Sequence, residues 1–181
     1  MRWLGLLGVL VLAGCSAAPN PSPSPSPSQN SSPGLSDPLA GVAWERFVRD
    51  CSVANGGSGR GTMIDAVVNG DVTGDGKVDT LVVNECVPAT SRWPTVVEVF
   101  DGASDPARPR RLAALLEGDP EAPQGATVSV EPGGRVVVTG QGFSPTAALC
   151  CPDLVVRKEF TYANGQFTLT GSATSPRPTA T

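Results

Sequence analysis

Short runs rich in Val, Thr, Ile and Phe recur along this chain, each bounded by Gly, Pro, Asn or Asp, and they restrict the fold more than any other feature. They are Met63–Asn69, Val78–Glu85, Thr95–Phe100, Thr127–Glu131, Arg135–Thr139, Leu154–Tyr162 and Gln166–Thr170. β-branched residues in runs of this length, separated by turn formers, read as strands. Two turns are legible in detail. Glu131-Pro132-Gly133-Gly134 joins Val130 to Val136, and Ala163-Asn164-Gly165 joins Tyr162 to Phe167, where Asn-Gly supplies the positive φ angles of a tight hairpin. Two stretches have helical character. Pro38–Val48 could start from an Asp37 cap and bury Leu39, Val42 and Phe47, while Arg110–Glu117 fits a short helix or a strand equally. The expected class is mostly β, an antiparallel sheet or sandwich with short helices; α+β is the alternative.

The ends of the chain confine that fold to its middle. Residues 1–14 carry one charge, at Arg2, then an apolar run from Trp3 to Ala13, which is too short to span a bilayer and reads as a secretory signal. Leu12-Ala13-Gly14-Cys15 resembles a bacterial lipobox. That resemblance implies cleavage before Cys15 and a diacylglycerol on its sulfur, whose two acyl chains give stable membrane attachment. Residues 15–38 are then the lipidated cysteine and a Pro/Ser-rich tether with too little apolar surface to fold. The 23 residues from Ser16 to Pro38, at roughly 3.1 Å each, reach up to about 70 Å from the bilayer. Residues 171–181 read as a second disordered tail, which leaves 39–170 for one β-rich domain.

Between the first two runs lies Gly70-Asp71-Val72-Thr73-Gly74-Asp75-Gly76-Lys77-Val78-Asp79. Counting from Asp71, oxygen-bearing side chains fall at positions 1, 3, 5 and 9 (Asp71, Thr73, Asp75, Asp79). Gly76 stands where the loop must turn sharply, and Lys77 offers its backbone carbonyl. A hard cation needs several converging oxygens, and this spacing supplies them from one short loop. Val82 occupies the twelfth position, where an EF-hand has glutamate, and strands rather than helices flank the loop. The segment therefore resembles the DxNxDGxxD loops of FG-GAP and VCBS-type repeats rather than an EF-hand. One copy does not make a propeller. Three carboxylates within nine residues with Lys77 as the local cation favour a structural calcium ion, bound weakly for lack of the twelfth ligand. An empty Gly/Asp turn is the alternative.

After Cys15, an even set of cysteines remains for an extracytoplasmic compartment: Cys51, Cys86, Cys150 and Cys151. A Cys51–Cys86 bond would close a loop around the Asp71 turn and stabilise by about 2–4 kcal/mol. Cys150 and Cys151 either form a strained vicinal pair or, on a strand, face opposite ways toward distant partners. A four-cysteine zinc site lacks the paired spacing of zinc ribbons.

The lipobox, the Pro/Ser tether, GDVTGDGKVDTLVV followed by Cys86, VVEVFDG, and LCCPDLVVRKEFTYANGQFTL resemble small secreted or lipid-anchored actinobacterial proteins. Those proteins share a GDxTGDGxxDAVV…C segment and are largely uncharacterised. The resemblance implies location and architecture more than activity.

Function classes narrow by composition. The chain contains no histidine, which removes Ser-His and Cys-His nucleophile pairs and every His-containing zinc site. A net charge of −4 argues against a phosphate-binding surface and so against nucleic acid. Asp65, Asp79, Glu85 and Glu98 are the carboxylates available for acid/base chemistry. No nucleophile elbow, S-x-x-K or phosphate loop accompanies them. The expected function is a non-enzymatic binding module held on the outer face of the cell membrane, with an envelope protein or other ligand as partner. A structural or accessory envelope component comes second, and a carboxylate-based hydrolase third. Trp44, Trp93 and Tyr162 are candidate contact residues, with core packing the plainer role.

Overall fold

All seven of the sequence-predicted runs form strands in the computed structural model, which describes residues 37–51, 61–87, 94–148 and 150–178. An eighth strand joins them. β1 (Thr62–Gly70), β2 (Asp79–Cys86), β3 (Val96–Phe100) and β4 (Arg111–Leu115) make one antiparallel sheet in chain order. β5 (Gln124–Glu131), β6 (Arg135–Gly142), β7 (Leu154–Ala163) and β8 (Gln166–Pro176) make a second. The sheets stack as a sandwich, with Val68, Leu81, Val97, Val99 and Leu115 of the first packed against Ala126, Val136, Val138 and Phe160 of the second. The mostly-β expectation is met.

The two sheets differ in how many faces they bury. Every residue of β2 and of β3 is buried; the apolar run of β3 and the Leu81–Val83 centre of β2 anticipate this, while Asp79, Thr80, Asn84 and Glu85 are buried polar groups. The second face of their sheet is covered by an arm, residues 37–51, whose Leu39, Trp44 and Val48 pack on Val82 and Phe100. The Trp44 and Phe100 rings lie 4.8 Å apart, which places Trp44 in the core. β7 instead alternates, with Val156 and Phe160 inward and Arg157 and Glu159 outward. On that outer face Arg135 pairs with Glu131 and Glu159, and Arg157 pairs with the same two glutamates. The second sheet thus turns one face to solvent.

Both predicted hairpins form. Glu131 pairs with Arg135, and Ala163 pairs with Gln166 across Asn164 at φ 54° and Gly165 at φ 82°, the doubly positive turn that matches strand twist. The helix expected over Pro38–Val48 does not form. Gly41 takes φ 79°, which ends any helix there, and a single 3₁₀ turn, Trp44–Arg46, is left. Asp37 does cap, accepting the Leu39 N–H at 3.0 Å, but it caps a turn. Arg110–Glu117 resolves to a strand, because β4 supplies the edge of β3 with its pairing partner. β8 continues past Thr170 to Pro176, so the last strand runs into the segment read from sequence as a tail.

The strand directions give the sandwich two distinct ends. At one lie the Asp71–Val78 loop, the Asp101–Arg110 connection and both tight hairpin turns. The arm enters there too, with Asn69 Nδ2 donating to Asp37 Oδ2 at 2.8 Å. It then runs along the sheet to the other end, where Cys51 bonds to Cys86 with a Cα separation of 5.4 Å, as anticipated. That far end also carries the 116–123 connection and the loop bearing Cys150 and Cys151.

Candidate functional site

The loop between β1 and β2 is shaped by its carboxylates and glycines. Gly74 and Gly76 adopt φ 77° and 81°, which L side chains rarely tolerate, and this curls the chain around the Asp71 carboxylate. Asp71 accepts the Gly74 N–H on Oδ1 at 2.7 Å and the Gly76 N–H on Oδ2 at 2.9 Å, while Asp75 Oδ1 accepts the Lys77 N–H at 2.9 Å. Each carboxylate oxygen has two lone pairs, so Asp71 and Asp75 keep acceptor capacity toward solvent. Thr73 is half-buried beside them, and Lys77 is exposed.

Asp79, which its spacing places among the ligands, does something else. It is fully buried and faces inward. Its Oδ2 accepts the Val72 and Thr73 N–H groups, each at 3.0 Å, and its Oδ1 accepts the Gly102 N–H at 2.9 Å. Burial pushes the Asp79 carboxyl above its ordinary value, and the N–H groups of Gly102, Thr73 and Val72 pull it only partly back. Asp79 is the clasp that ties the loop to the start of β2 and to the 101–110 connection. A Cβ on Gly102 would fall 1.9 Å from the Val78 carbonyl oxygen, so that approach requires glycine. Nothing in the loop's own sequence reveals this partner, which sits 23 residues beyond Asp79.

Across the loop stands the β5–β6 turn. A Cβ on Gly134 would lie 2.8 Å from the Asp71 carbonyl oxygen, and a cleft of about 450 Å³ separates Asp71 and Gly74 from Glu131 and Gly133. Among the described residues no three acidic or cysteine side chains converge as a metal cluster. Of the residues whose spacing suggested cation ligands, Asp71, Thr73, Asp75 and Lys77 lie on the loop itself, while Asp79 holds it from behind.

Two of the carboxylates suited to acid/base chemistry, Glu85 and Glu98, do not form a pair. Glu98 is fully buried under the arm, accepting from Arg49 N at 2.7 Å, Asn84 Nδ2 at 3.3 Å and Arg111 at 2.6 Å. Glu85 lies on the opposite face of the sheet, where it accepts from Thr95 Oγ1 and Gly125 N, each at 2.8 Å. The network around Glu98 locks the arm down, and burial lowers the Arg49 pKa despite the neighbouring Glu98 charge.

A second cleft, of about 510 Å³, opens at the end of the sandwich away from the Asp71 loop. Pro94, Pro120, Ala122, Phe143, Pro145 and Leu154 contribute to its walls, and among the described residues Glu121 is the one carboxylate that lines it. Phe143 is the aromatic residue that sequence reasoning missed; a lone Phe after a Gly-rich strand end carries no signal. Tyr162 packs against Phe167 with ring centroids 5.0 Å apart, and Trp93 lies outside the described residues, as does Cys15.

Near that cleft, Lys158 is buried on the inner face of β7 and donates to Asp119 at 2.7 Å. Burial alone raises the Asp119 carboxyl, but the hydrogen bond and charge of Lys158, with the Glu121 N–H, outweigh it and hold the group below its ordinary value. A depressed carboxyl contributes stability that is present above its unfolded pKa and is lost as pH falls through its folded one. The difference in urea midpoint between the native protein and Lys158→Met is accordingly expected to be constant above about pH 5 and to shrink below about pH 4. A difference that ignores acidification would contradict the pairing.

Compared with known proteins, the chain matches no family model, no curated protein and no solved structure.

Proposed function

We propose that this protein is a lipid-anchored, extracytoplasmic interaction module, non-enzymatic, whose Asp71 loop holds a structural calcium ion. The observation that carries this reading is the division of labour between the two ends of the sandwich. The tether joins at the end where Asn69 binds Asp37, beside the Asp71 loop, and the apolar cleft with Phe143 and Leu154 opens at the other. A domain tied to a bilayer by one end presents the other to its surroundings. Clefts with apolar walls and few polar groups are the usual shape of a binding site. The separation of Glu85 and Glu98 onto opposite faces supports a binding rather than an acid/base role. Calcium would supply the positive charge that Asp71 and Asp75 lack, and would hold the loop against the β5–β6 turn.

The anchor is tested by Cys15→Ala in the native host. The lipobox reading expects the variant to leave the membrane fraction, since the attachment lies in the acyl chains and not in the protein surface. Quantitative immunoblotting of membrane and soluble fractions checks it. Retention of the variant on membranes at the native level would contradict the lipid anchor.

A further inference from the structure

We propose that Cys150 and Cys151 form a solvent-facing dithiol/disulfide couple that exchanges with an external dithiol, whereas Cys51–Cys86 is chemically inert. The two pairs differ in three respects, and all point the same way. The first is access: Cys150 and Cys151 are both exposed, while Cys51 and Cys86 are 1% and 4% exposed, and exchange needs a thiolate to approach a sulfur atom.

The second is what each bond constrains. Cys51–Cys86 spans a sequence separation of 35 and so removes much freedom from the unfolded chain; Cys150–Cys151 spans a separation of 1 and removes almost none. The third is covalent geometry. The Cα atoms of Cys150 and Cys151 are 3.8 Å apart, below the range in which disulfides ordinarily form, while those of Cys51 and Cys86 are 5.4 Å apart and well within it. The vicinal bond is therefore the weaker of the two.

Its loop is built to survive the change. Asp153 closes the base of the loop by accepting the Ser144 N–H at 2.8 Å and the Ser144 hydroxyl at 2.7 Å, and Cys151 N donates to the Ala148 carbonyl at 2.9 Å. None of these bonds uses a cysteine sulfur. Phe143 and Leu154 flank this closed loop and line the apolar cleft, so a thiol brought to the pair arrives next to that cleft.

The chemistry balances with a dithiol as reductant. One thiolate of the incoming dithiol attacks Sγ of Cys150 or Cys151, the S–S bond breaks, and the other sulfur leaves as a thiolate that takes a proton. The second thiol then attacks the mixed disulfide, closing the reagent's own S–S bond and releasing the second cysteine thiol. Two electrons and two protons pass to the protein. This inference is independent of the calcium loop and of the anchor.

The test uses the full chain in neutral buffer without denaturant, treated with graded dithiothreitol, alkylated, and mapped by peptide mass spectrometry. Cys150 and Cys151 are expected to be labelled at a reductant level roughly tenfold or more below that needed for Cys51 and Cys86. Cys150→Ser is expected to leave Cys151 able to take up oxidised glutathione as a mixed disulfide. Parallel reduction of both pairs would overturn the proposal, as would labelling of Cys150 and Cys151 without reductant after incubation with an oxidant. Failure of Cys151 in Cys150→Ser to form the adduct would overturn it as well.

Discussion

Asp79→Ala is expected to destabilise the protein by about 3–5 kcal/mol, a large fraction of the stability of a domain this size. The buried carboxylate takes the N–H groups of Val72, Thr73 and Gly102 at about 3 Å, and alanine leaves these backbone donors without their acceptor. Removing one partner of a buried hydrogen bond costs the desolvation of the other, and here one substitution orphans several. Burial of the Asp79 charge opposes the gain, which keeps the expected loss below a simple sum over bonds. Asp79→Asn should fall between, since its amide oxygen keeps an acceptor on one side while its NH2, a donor, faces backbone N–H on the other. Urea denaturation of the full chain in chelator measures this, with Asp75→Ala as the exposed comparison, expected to cost less than about 1 kcal/mol. Equal losses for Asp75→Ala and Asp79→Ala would refute the clasp.

Glu98→Ala is expected to have an effect of similar size, about 3–5 kcal/mol, for a different reason. Glu98 is the common acceptor for Arg49 N, Asn84 Nδ2 and the Arg111 guanidinium beneath the arm. Its loss removes the nearest counter-charge of the half-buried Arg49 and the acceptor of the Arg49 N–H, and opens the last stretch of the arm before Cys51. This network and the packing of Trp44 on Phe100 together hold the arm to the sheet, and under the proposed lipid anchor they would lie between the membrane and the domain. Glu98→Ala should therefore raise tryptic cleavage at Arg46 and Arg49 before global unfolding. Glu98→Gln, which keeps the shape and one acceptor, should do so less. Cleavage unchanged from the native protein would show that the arm does not depend on Glu98.

The strands were legible because runs of β-branched and aromatic residues between turn formers, such as Val136–Val138 and the Val155, Val156 and Phe160 of β7, suit a pleated, half-buried surface. β4 was ambiguous because Arg-Leu-Ala-Ala-Leu suits a helix as well as a strand, and the free edge of β3 decided the matter. The helix over Pro38–Val48 failed for a local reason, Gly41 at positive φ, and a tertiary one, the need to lay Leu39, Trp44 and Val48 across a flat sheet face. The Asp71 loop was legible as a loop. The role of Asp79 was not, since one spacing serves a ligand and a clasp alike, and what separates them is Gly102, distant in sequence. Cys51–Cys86 was one of three possible connectivities, favoured because it closes a loop around the Asp71 turn, and the sulfurs meet where the arm reaches the end of β2. Cys150 and Cys151 pair with each other because they sit in a turn rather than on a strand, where they would have faced opposite ways.

Whether the Asp71 loop holds calcium is tested directly by a thermal melt of the full chain in calcium and in chelator, alongside Asp75→Ala. At a calcium concentration about a hundred times the dissociation constant, binding to the folded state alone adds about 2.7 kcal/mol, which raises the midpoint by several degrees. The predicted result is a calcium-dependent shift in the native protein that Asp75→Ala abolishes while keeping the native midpoint in chelator. A native protein whose midpoint is the same in calcium and in chelator would contradict the calcium staple and leave the loop a turn held by the backbone bonds of Asp71, Asp75 and Asp79.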